Sequence, residues 1–250
     1  MKRIGSIVRD AVILTRLFTK SLRFWGPFTF VLSIGFPLLL FGFLRLNLGP
    51  VDQSRMLYLL SGTFLVGFVN LSVTSLAQYI VNLKVSQGLE AFRSLPIRGV
   101  SLVFGIVGYY LIINVPVFCA FVALLPIHGF TQFANVFFFL AIALCVTTLI
   151  PLGAFIGMYA KGVEQGSVLS IAIGFFLYMA APVYFPLEHL PLFFRKLSSA
   201  LPTTYLADAL RQSISGQVNA GRFTVDVAVA LAFALALYAL MFRKFRMISD

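Results

Sequence analysis

The stretch MLYLLSGTFLVGFVNLSVTSLAQYIVNL, from Met56 to Leu83, decides the fold of this chain. It contains no Asp, Glu, Lys or Arg, and it exceeds the roughly 20 apolar residues that a helix needs to cross a bilayer. A charge at the centre of such a helix costs roughly 2.5 to 3.5 kcal/mol, so long charge-free gaps mark membrane spans. This stretch therefore predicts a transmembrane helix.

The composition of the whole chain agrees with this interpretation. The 250 residues are 60% hydrophobic and 11% charged, with a mean hydropathy of +0.98, whereas about a quarter of the residues in a soluble domain are charged. The length leaves no room for a fused catalytic domain beside the spans. In a membrane protein the net charge of +11 is typical of Lys and Arg near the cytoplasmic surface and anionic lipid, and it does not indicate nucleic-acid binding.

Charge-free gaps and one turn signal divide the chain into six predicted spans. The gap from Gly99 to Ala160 is too long for one helix, and the cluster Pro126, Ile127, His128 and Gly129 predicts the turn that splits it. The predicted spans are about 24–44, 56–83, 101–125, 134–159, 167–187 and 223–242. The sequence thus predicts an all-α integral membrane protein with one transmembrane domain over residues 1–250.

The distribution of positive charges predicts the orientation. Thirteen of the nineteen Lys and Arg residues fall in the N-terminal segment, the loops after spans 2 and 4, and the C-terminal tail, and six fall in the other loops. Short loops rich in Lys and Arg stay in the cytoplasm. We therefore expect a multi-pass protein of the inner (plasma) membrane with both termini in the cytoplasm.

Residues 1–23 have the pattern of an amphipathic helix. Basic side chains, from Lys2 to Arg23, recur at helical spacing, and apolar side chains such as Leu14 and Phe18 fall on the opposite side. This pattern predicts an interfacial helix that lies along the cytoplasmic leaflet. The alternative is a cytoplasmic extension of span 1.

Residues 84–100 form the second non-spanning piece. Leu89, Phe92 and Leu95 or Pro96 share one face at three-residue spacing, and Pro96 ends the helix soon after it begins. A short helix with an exposed apolar side chain is suited to contact a partner protein. The alternative is an ordinary loop whose charges only hold the topology.

Residues 188–222 are longer than a turn between two spans requires. After Pro191 the apolar residues follow helical spacing, and a second helix is expected after Pro202, with Thr203 as its N-cap and Gly216 as its C-terminal stop. Asp208 and Arg211 lie one turn apart. The pattern predicts two short helices at the outer side of the membrane, which dip into it only where protein or water covers the backbone.

Several kinds of chemistry are missing from the sequence. No Gly is followed by Lys, so a phosphate-binding P-loop is absent, and no predicted span has a central charge of the kind that ion-coupled carriers use. No spacing of His, Cys, Asp or Glu indicates a metal site or a catalytic set. Polar residues inside the spans are interpreted mainly as hydrogen-bonding contacts between helices: Asn70, Ser72, Thr74, Ser75, Gln78, Asn114, Thr147 and Thr148.

With these features together, the chain resembles the membrane subunit, or permease, of ABC type-2 exporters. The helix before span 1 is similar to that family's connecting helix, and the stretch GLEAFRSLPI at 88–97 is similar to its coupling-helix motif. We therefore call residues 84–100 the coupling segment. FPLEHLP at 185–191, followed by LPTTYLADALR at 201–211, resembles its outer re-entrant signature. Two departures are that residues 84–87 lack the acidic and basic pair of many members, and that the N-terminal stretch of the polysaccharide-exporting branch is not clearly present.

The resemblance implies which residues carry the function. The ATPase contact is expected at Gly88, Leu89, Glu90, Phe92, Arg93, Leu95 and Pro96. The outer re-entrant motif is expected at Pro186, Glu188, Pro191, Pro202, Thr203, Tyr205, Asp208 and Arg211.

The resemblance also implies the activity and the partners. It implies a permease without its own ATP site that exports a hydrophobic or amphiphilic substrate, such as a lipid, a drug or a lipid-linked molecule. Two cytoplasmic ATPase subunits would bind the ATP and Mg²⁺, a second permease copy or a homologue would complete the pathway, and membrane lipids would surround it. No cofactor, metal or nucleic acid is expected on this chain. The alternatives are a non-transporting assembly or scaffold subunit, a membrane enzyme with a diffuse site, and a polysaccharide-exporting permease of the same family.

The orientation can be tested by cysteine labelling. Single cysteines at Ser6, His128 and Ser213 are expected to react with an impermeant maleimide from the inside, the outside and the outside, respectively, because of the distribution of Lys and Arg. Labelling of the His128 position from the inside would contradict the orientation.

Overall fold

The computed structural model describes the backbone of residues 2–49, 51–86, 88, 99–181, 183–184 and 191–249, and their side chains except at 2–6, 21–27, 29–30, 32–33, 99–100 and 242–249. Every regular element in this part of the chain is a helix, which confirms the all-α prediction there. The helices are α1 (Lys2–Leu48), α2 (Gln53–Val69), a π-helical segment (Asn70–Ser75), α3 (Leu76–Val85), α4 (Gly99–Ile127), α5 (Val136–Tyr159), α6 (Val163–Met179), α7 (Leu192–Ser199), α8 (Pro202–Ser215) and α9 (Ala220–Ser249).

Four of these helical stretches are long and apolar enough to cross a membrane. They are Gln53–Val85, Ser101–Ile127, Val136–Tyr159 and Ala220–Met241, and shorter apolar stretches occur at Ile34–Leu48 and Val163–Met179. The chain is therefore a multi-pass membrane protein. The arrangement of six spans stays a prediction.

The predicted division of the long third gap is confirmed. Helix α4 ends at Ile127, where the amide of His128 donates to the carbonyl of Leu125 and Gly129 adopts a positive φ of 85°. This left-handed conformation costs Gly little, because it has no Cβ. Helix α5 then begins after Asn135, whose side chain accepts a hydrogen bond from the amide of Phe138.

The predicted boundary near residue 23 is wrong, because α1 is one helix from Lys2 to Leu48. Leu14 contacts Gly105 of α4, and further along the same helix Phe41 contacts His128 at the end of α4. The two helices thus run side by side in the same direction. The continuous backbone agrees with the alternative interpretation, in which residues 1–23 are an extension of span 1. Packing of Leu14 and Phe18 on α4 explains the apolar face of the N-terminal segment.

Predicted span 5 also ends earlier than expected. Helix α6 stops at Met179, and the backbone amide of Ala180 makes the last helical hydrogen bond, to Phe176. The sequence continues as apolar residues to Leu187, so hydropathy alone predicted a longer helix. After this helix end, the carbonyls of Ala180 and Val183 accept hydrogen bonds from α7 and α8 instead.

Span 2 forms the centre of the fold. In the most apolar 18 residues of Gln53–Val85, 83% of the residues are buried, against 22% in the most apolar 18 residues of Ala220–Met241. Glycines bring two helices close to it, because a Cβ at Gly153 or Gly157 of α5 would collide with the backbone of Val73 or Ala77, and one at Gly174 of α6 would collide with Thr74. Small residues at such contacts are the usual means by which membrane helices approach closely.

Polar side chains connect the spans at these contacts. Asn114 of α4 donates to Ser72 at 3.2 Å, Thr74 donates to the carbonyl of Ser170 in α6, and Thr148 of α5 donates to the carbonyl of Ala230 in α9. These residues were predicted to link helices, and for Ser72, Thr74, Asn114 and Thr148 the prediction is confirmed.

The glycine contacts can be tested by adding one methyl group. Gly153→Ala is expected to lower the melting temperature in detergent, because the new Cβ would lie 2.9 Å from Cα of Val73 and overpacking of this kind typically costs ~1–3 kcal/mol. Gly42→Ala in α1 is the matched control, because no atom lies within 4 Å of its Cβ position. Equal melting temperatures for the two variants would contradict the central position of this contact.

Candidate functional site

The two sets of predicted site residues lie at different places in the chain. Of the predicted ATPase contact, Gly88 is described, half-buried beside Leu83. The other six residues, Leu89, Glu90, Phe92, Arg93, Leu95 and Pro96, lie outside the described residues. So do Pro186 and Glu188 of the re-entrant motif, whereas its other six residues are described.

The two helices after span 5 begin at prolines. Pro191 is the N-cap of α7, and Pro202 occupies the first turn of α8, where its missing N–H leaves no hydrogen bond unmade. The predicted N-cap at Thr203 is wrong, because Leu201 is the N-cap, in an extended conformation. The predicted stop is confirmed, because Gly216 ends α8 in the left-handed conformation with φ 70°.

Side chains of α7 and α8 satisfy the backbone carbonyls at and after the end of α6. Thr203 donates to the carbonyl of Leu177 at 2.7 Å, and Ser198 donates to that of Ala180. An N–H of Arg211 donates to the carbonyl of Val183 at 2.8 Å. A backbone that leaves its helix in a membrane protein must find such donors, because hydrocarbon provides none. We call Ser198, Thr203 and Arg211 the anchor residues.

Arg211 is the charged member of the anchor residues, and it is buried. It is 7% exposed, its guanidinium carbon lies 4.0 Å from the centre of the Tyr58 ring, and its Nε donates to Ser61 at 3.3 Å. Burial lowers the pKa of Arg211 to about 10, while Tyr58 and Asp208 oppose this shift. The guanidinium is therefore charged at neutral pH, where it connects α8 to α2.

Asp208 has partners on α9. Its carboxylate accepts two bonds from Arg222, at 2.6 and 3.2 Å, and one from Gln212, which also donates to Asp226 at 3.0 Å. Asp208 and Arg211, one turn apart in the sequence, therefore fasten α8 in two directions. Asp208 holds it to α9, and Arg211 holds it to α2 and to Val183.

The remaining motif residues fasten the turn between α7 and α8. The hydroxyl of Tyr205 donates to the carbonyl of Ser199 at 2.7 Å, and Thr204 donates to that of Ser198 at 2.6 Å. The two prolines and these hydroxyls give the motif a structural explanation. Ser213, proposed above as a labelling position, is fully buried, so the exposed Gln217 is the better choice on the same loop.

Sequence reasoning missed one exposed surface along span 2. Between Met56 and Val81, all of which the structure describes, Asn70 is the only exposed residue, and Ser75 and Gln78 are half-buried. One helical turn from Asn70, Val66 lines an apolar groove of about 360 Å³ between α1 and α6. The groove is also lined by Phe36, Leu40, Leu44, Phe175, Tyr178, Met179 and Tyr184. Periodicity could not have found the groove, because its lining comes from helices that are far apart in the chain.

No cluster of three or more His, Cys, Asp or Glu side chains within the described ranges could hold a metal ion. What the described residues do provide is a bundle of apolar helices, an apolar groove between α1 and α6, and a hairpin of short helices anchored on the end of a span. These are features of a membrane-embedded helical protein.

Comparison with known families identifies the class. The model of the family described as ABC-2 type transporter matches residues 11–215, most of the chain. The chain therefore belongs to this family and is a membrane permease subunit of an ABC type-2 transporter, as predicted. Members of the family work with ABC ATPase subunits. No curated protein matches the sequence.

The anchoring role of Arg211 can be tested by stability. Arg211→Met is expected to lower the melting temperature in detergent, because the buried carbonyl of Val183 loses a donor, a loss that typically costs ~1–3 kcal/mol. Arg55→Met is the control, since Arg55 is exposed and its ion pair with Asp52 is of a type worth ~1 kcal/mol or less. If the two variants melt together, Arg211 does not anchor α8.

Proposed function

We propose that this permease is half of an ATP-driven exporter that moves an amphiphilic substrate from the cytoplasm or the inner leaflet. Its partners in this proposal are two cytoplasmic ATPase subunits, which bind ATP and Mg²⁺, and a second permease, either a copy or a homologue. Both termini face the cytoplasm, and the complex lies in the inner (plasma) membrane.

The observation that carries the proposal is the exposed polar side chain in the centre of the most enclosed span. Asn70 is exposed within a stretch whose other residues, from Met56 to Val81, are buried or half-buried. A polar residue at this depth is unfavourable against lipid, so it is expected to face protein or a path for substrate. Asn70 also opens the π-helical segment, and π-helical turns occur frequently at functional sites.

The groove lined by Val66, one helical turn from Asn70, supports the class of substrate. Its walls are aromatic and aliphatic side chains of α1 and α6, and Val66 of span 2 forms part of its lining. None of its lining residues is charged. Such a surface suits an apolar chain or ring system, while Asn70 and Ser75 offer hydrogen bonds to an uncharged polar group.

The coupling segment supports the use of a separate ATPase. Phe92 is proposed as the side chain seated in a groove of the ATPase, because burying a Phe is worth about 1.5–3 kcal/mol, more than an exposed ion pair contributes. Glu90 and Arg93 then set the orientation of the contact, and Pro96 sets where the short helix ends. The pure chain is expected to hydrolyse no ATP.

The test is to purify the tagged chain with its ATPase and to compare two variants. Phe92→Ala is expected to weaken retention of the ATPase by about 10- to 100-fold, from the lost burial, and to abolish ATPase stimulation by a panel of lipids and drugs. Arg93→Ala is expected to do less. Both variants should insert and elute as the wild type does.

Two results would contradict the proposal. One is ATP hydrolysis by the pure chain free of contaminating ATPase. The other is Phe92→Ala with its ATPase firmly bound and its stimulation unchanged, because the coupling segment would then have no role in transmission.

A further inference from the structure

The turn between α5 and α6 encloses the end of span 2. A Cβ at Gly157, in the last turns of α5, would lie 2.8 Å from Cβ of Ile80, and one at Gly166, in the first turn of α6, would lie 2.6 Å from Val81. Between these two contacts Ala160 is fully buried. The two helices therefore hold α3 from both sides, next to its C-terminus.

Lys84 joins the end of α3 to the end of α5 with two hydrogen bonds. Its ammonium donates to the carbonyl of Met158 at 2.8 Å and to that of Ala160 at 2.6 Å. Both carbonyls lie at the end of α5, where Ala160 turns to an extended conformation and the helix stops. Carbonyls in the last turn of a helix lack partners within it, and a cation there is favoured by the helix dipole.

Lys84 lies in the chain between the buried part of span 2 and the proposed ATPase contact. Lys84 precedes Val85, the last residue of α3, and the proposed ATPase contact begins at Gly88. The segment of the proposed ATPase contact joins α3 to α4, so a force applied there acts on α3, and Lys84 and the glycine contacts at Ile80 and Val81 can pass it to α5 and α6. At its other end α6 is held by Thr203 of α8, so a movement of α6 also reaches the helices after span 5.

We infer that Lys84 is a positioning residue that makes α3 and the α5–α6 turn move as one unit when the ATPase acts on the coupling segment. This inference rests on the proposed function. In this role Lys84 does more than keep its loop in the cytoplasm. Its two hydrogen bonds, rather than its charge alone, transmit the movement from α3 to the α5–α6 turn.

The experiment uses the full chain bound to its ATPase in lipid nanodiscs. Exposed Cys119 is first replaced by Ser, and Gln217→Cys, on the loop after α8, reports by its rate of maleimide labelling without nucleotide and with ATP and vanadate. Lys84→Met removes the ammonium and keeps the length of the side chain, and Lys84→Arg keeps donors. Lys161→Met, an exposed Lys of the same turn, is the matched control for loss of charge.

The expected result separates coupling from assembly. The wild type, Lys84→Arg and Lys161→Met change their labelling rate with nucleotide, whereas Lys84→Met loses that change while its ATPase stays bound and still hydrolyses ATP. If Lys84→Met does not assemble, Lys84→Gln, which is too short to make both bonds, takes its place with the same expected loss.

Three outcomes would overturn the inference. A nucleotide-dependent change in Lys84→Met equal to that of the wild type shows that the hydrogen bonds carry no movement. Labelling of the reporter from the cytoplasmic side in Lys84→Met shows that the residue only holds the topology. A wild-type complex that hydrolyses ATP but whose labelling never responds to nucleotide shows that no movement reaches the loop after α8, whereas failure of the proposed function would appear as ATP hydrolysis by the pure chain or as an unchanged Phe92→Ala complex.

Discussion

The close approach of α5 and α6 to span 2 is the constraint on which the rest of the structure depends. Lipid tails are as apolar as Leu side chains, so helices in a bilayer gain little from hydrophobic burial against each other and rely on packing and hydrogen bonds. Glycines at the contacts let the backbones come close enough for Thr74 to reach the carbonyl of Ser170. With α6 held in this way, the carbonyls at its end define where Ser198, Thr203 and Arg211 can bind.

At the π-helical segment, span 2 packs against other helices on one side and is exposed on the other. In this segment the side-chain hydroxyl of Ser75 donates to the carbonyl of Asn70, five residues earlier, at 3.2 Å. The wider turn leaves Ser72 facing Asn114 while Asn70 faces outwards. One span can therefore be the centre of the packing and also contribute Val66 to the lining of the groove.

The sequence predicted the features that follow from the cost of charge in a membrane. Charge-free gaps located the apolar helices, and Pro and Gly located the turn at 126–129 and the end of α8. Local rules could also have found the N-cap of α8, because Pro favours the first helical position and so assigns the cap to Leu201 rather than Thr203. Recognition of the family rested on short motifs at 88–97 and 185–211.

The features that sequence reasoning missed depend on residues far apart in the chain. Nothing near Arg211 indicates that it reaches Ser61, 150 residues earlier. The end of α6 at Met179 lies inside an apolar run, so hydropathy could not locate it. The continuity of α1 was open in the sequence, because a basic amphipathic pattern suits both an interfacial helix and an extension that packs on α4.

The central position of span 2 also has a consequence for how the protein is made. A ribosome delivers the chain from its N-terminus, so span 2 enters the bilayer before α5, α6 and α8 have been synthesised. During that interval Thr74 has not met the carbonyl of Ser170, and Ser61 and Tyr58 have not met Arg211. The helix that ends as the most enclosed element therefore enters the bilayer before the partners of its polar groups have been made. Its biogenesis depends on the insertion machinery, or on α1, to shield those groups until the later helices arrive.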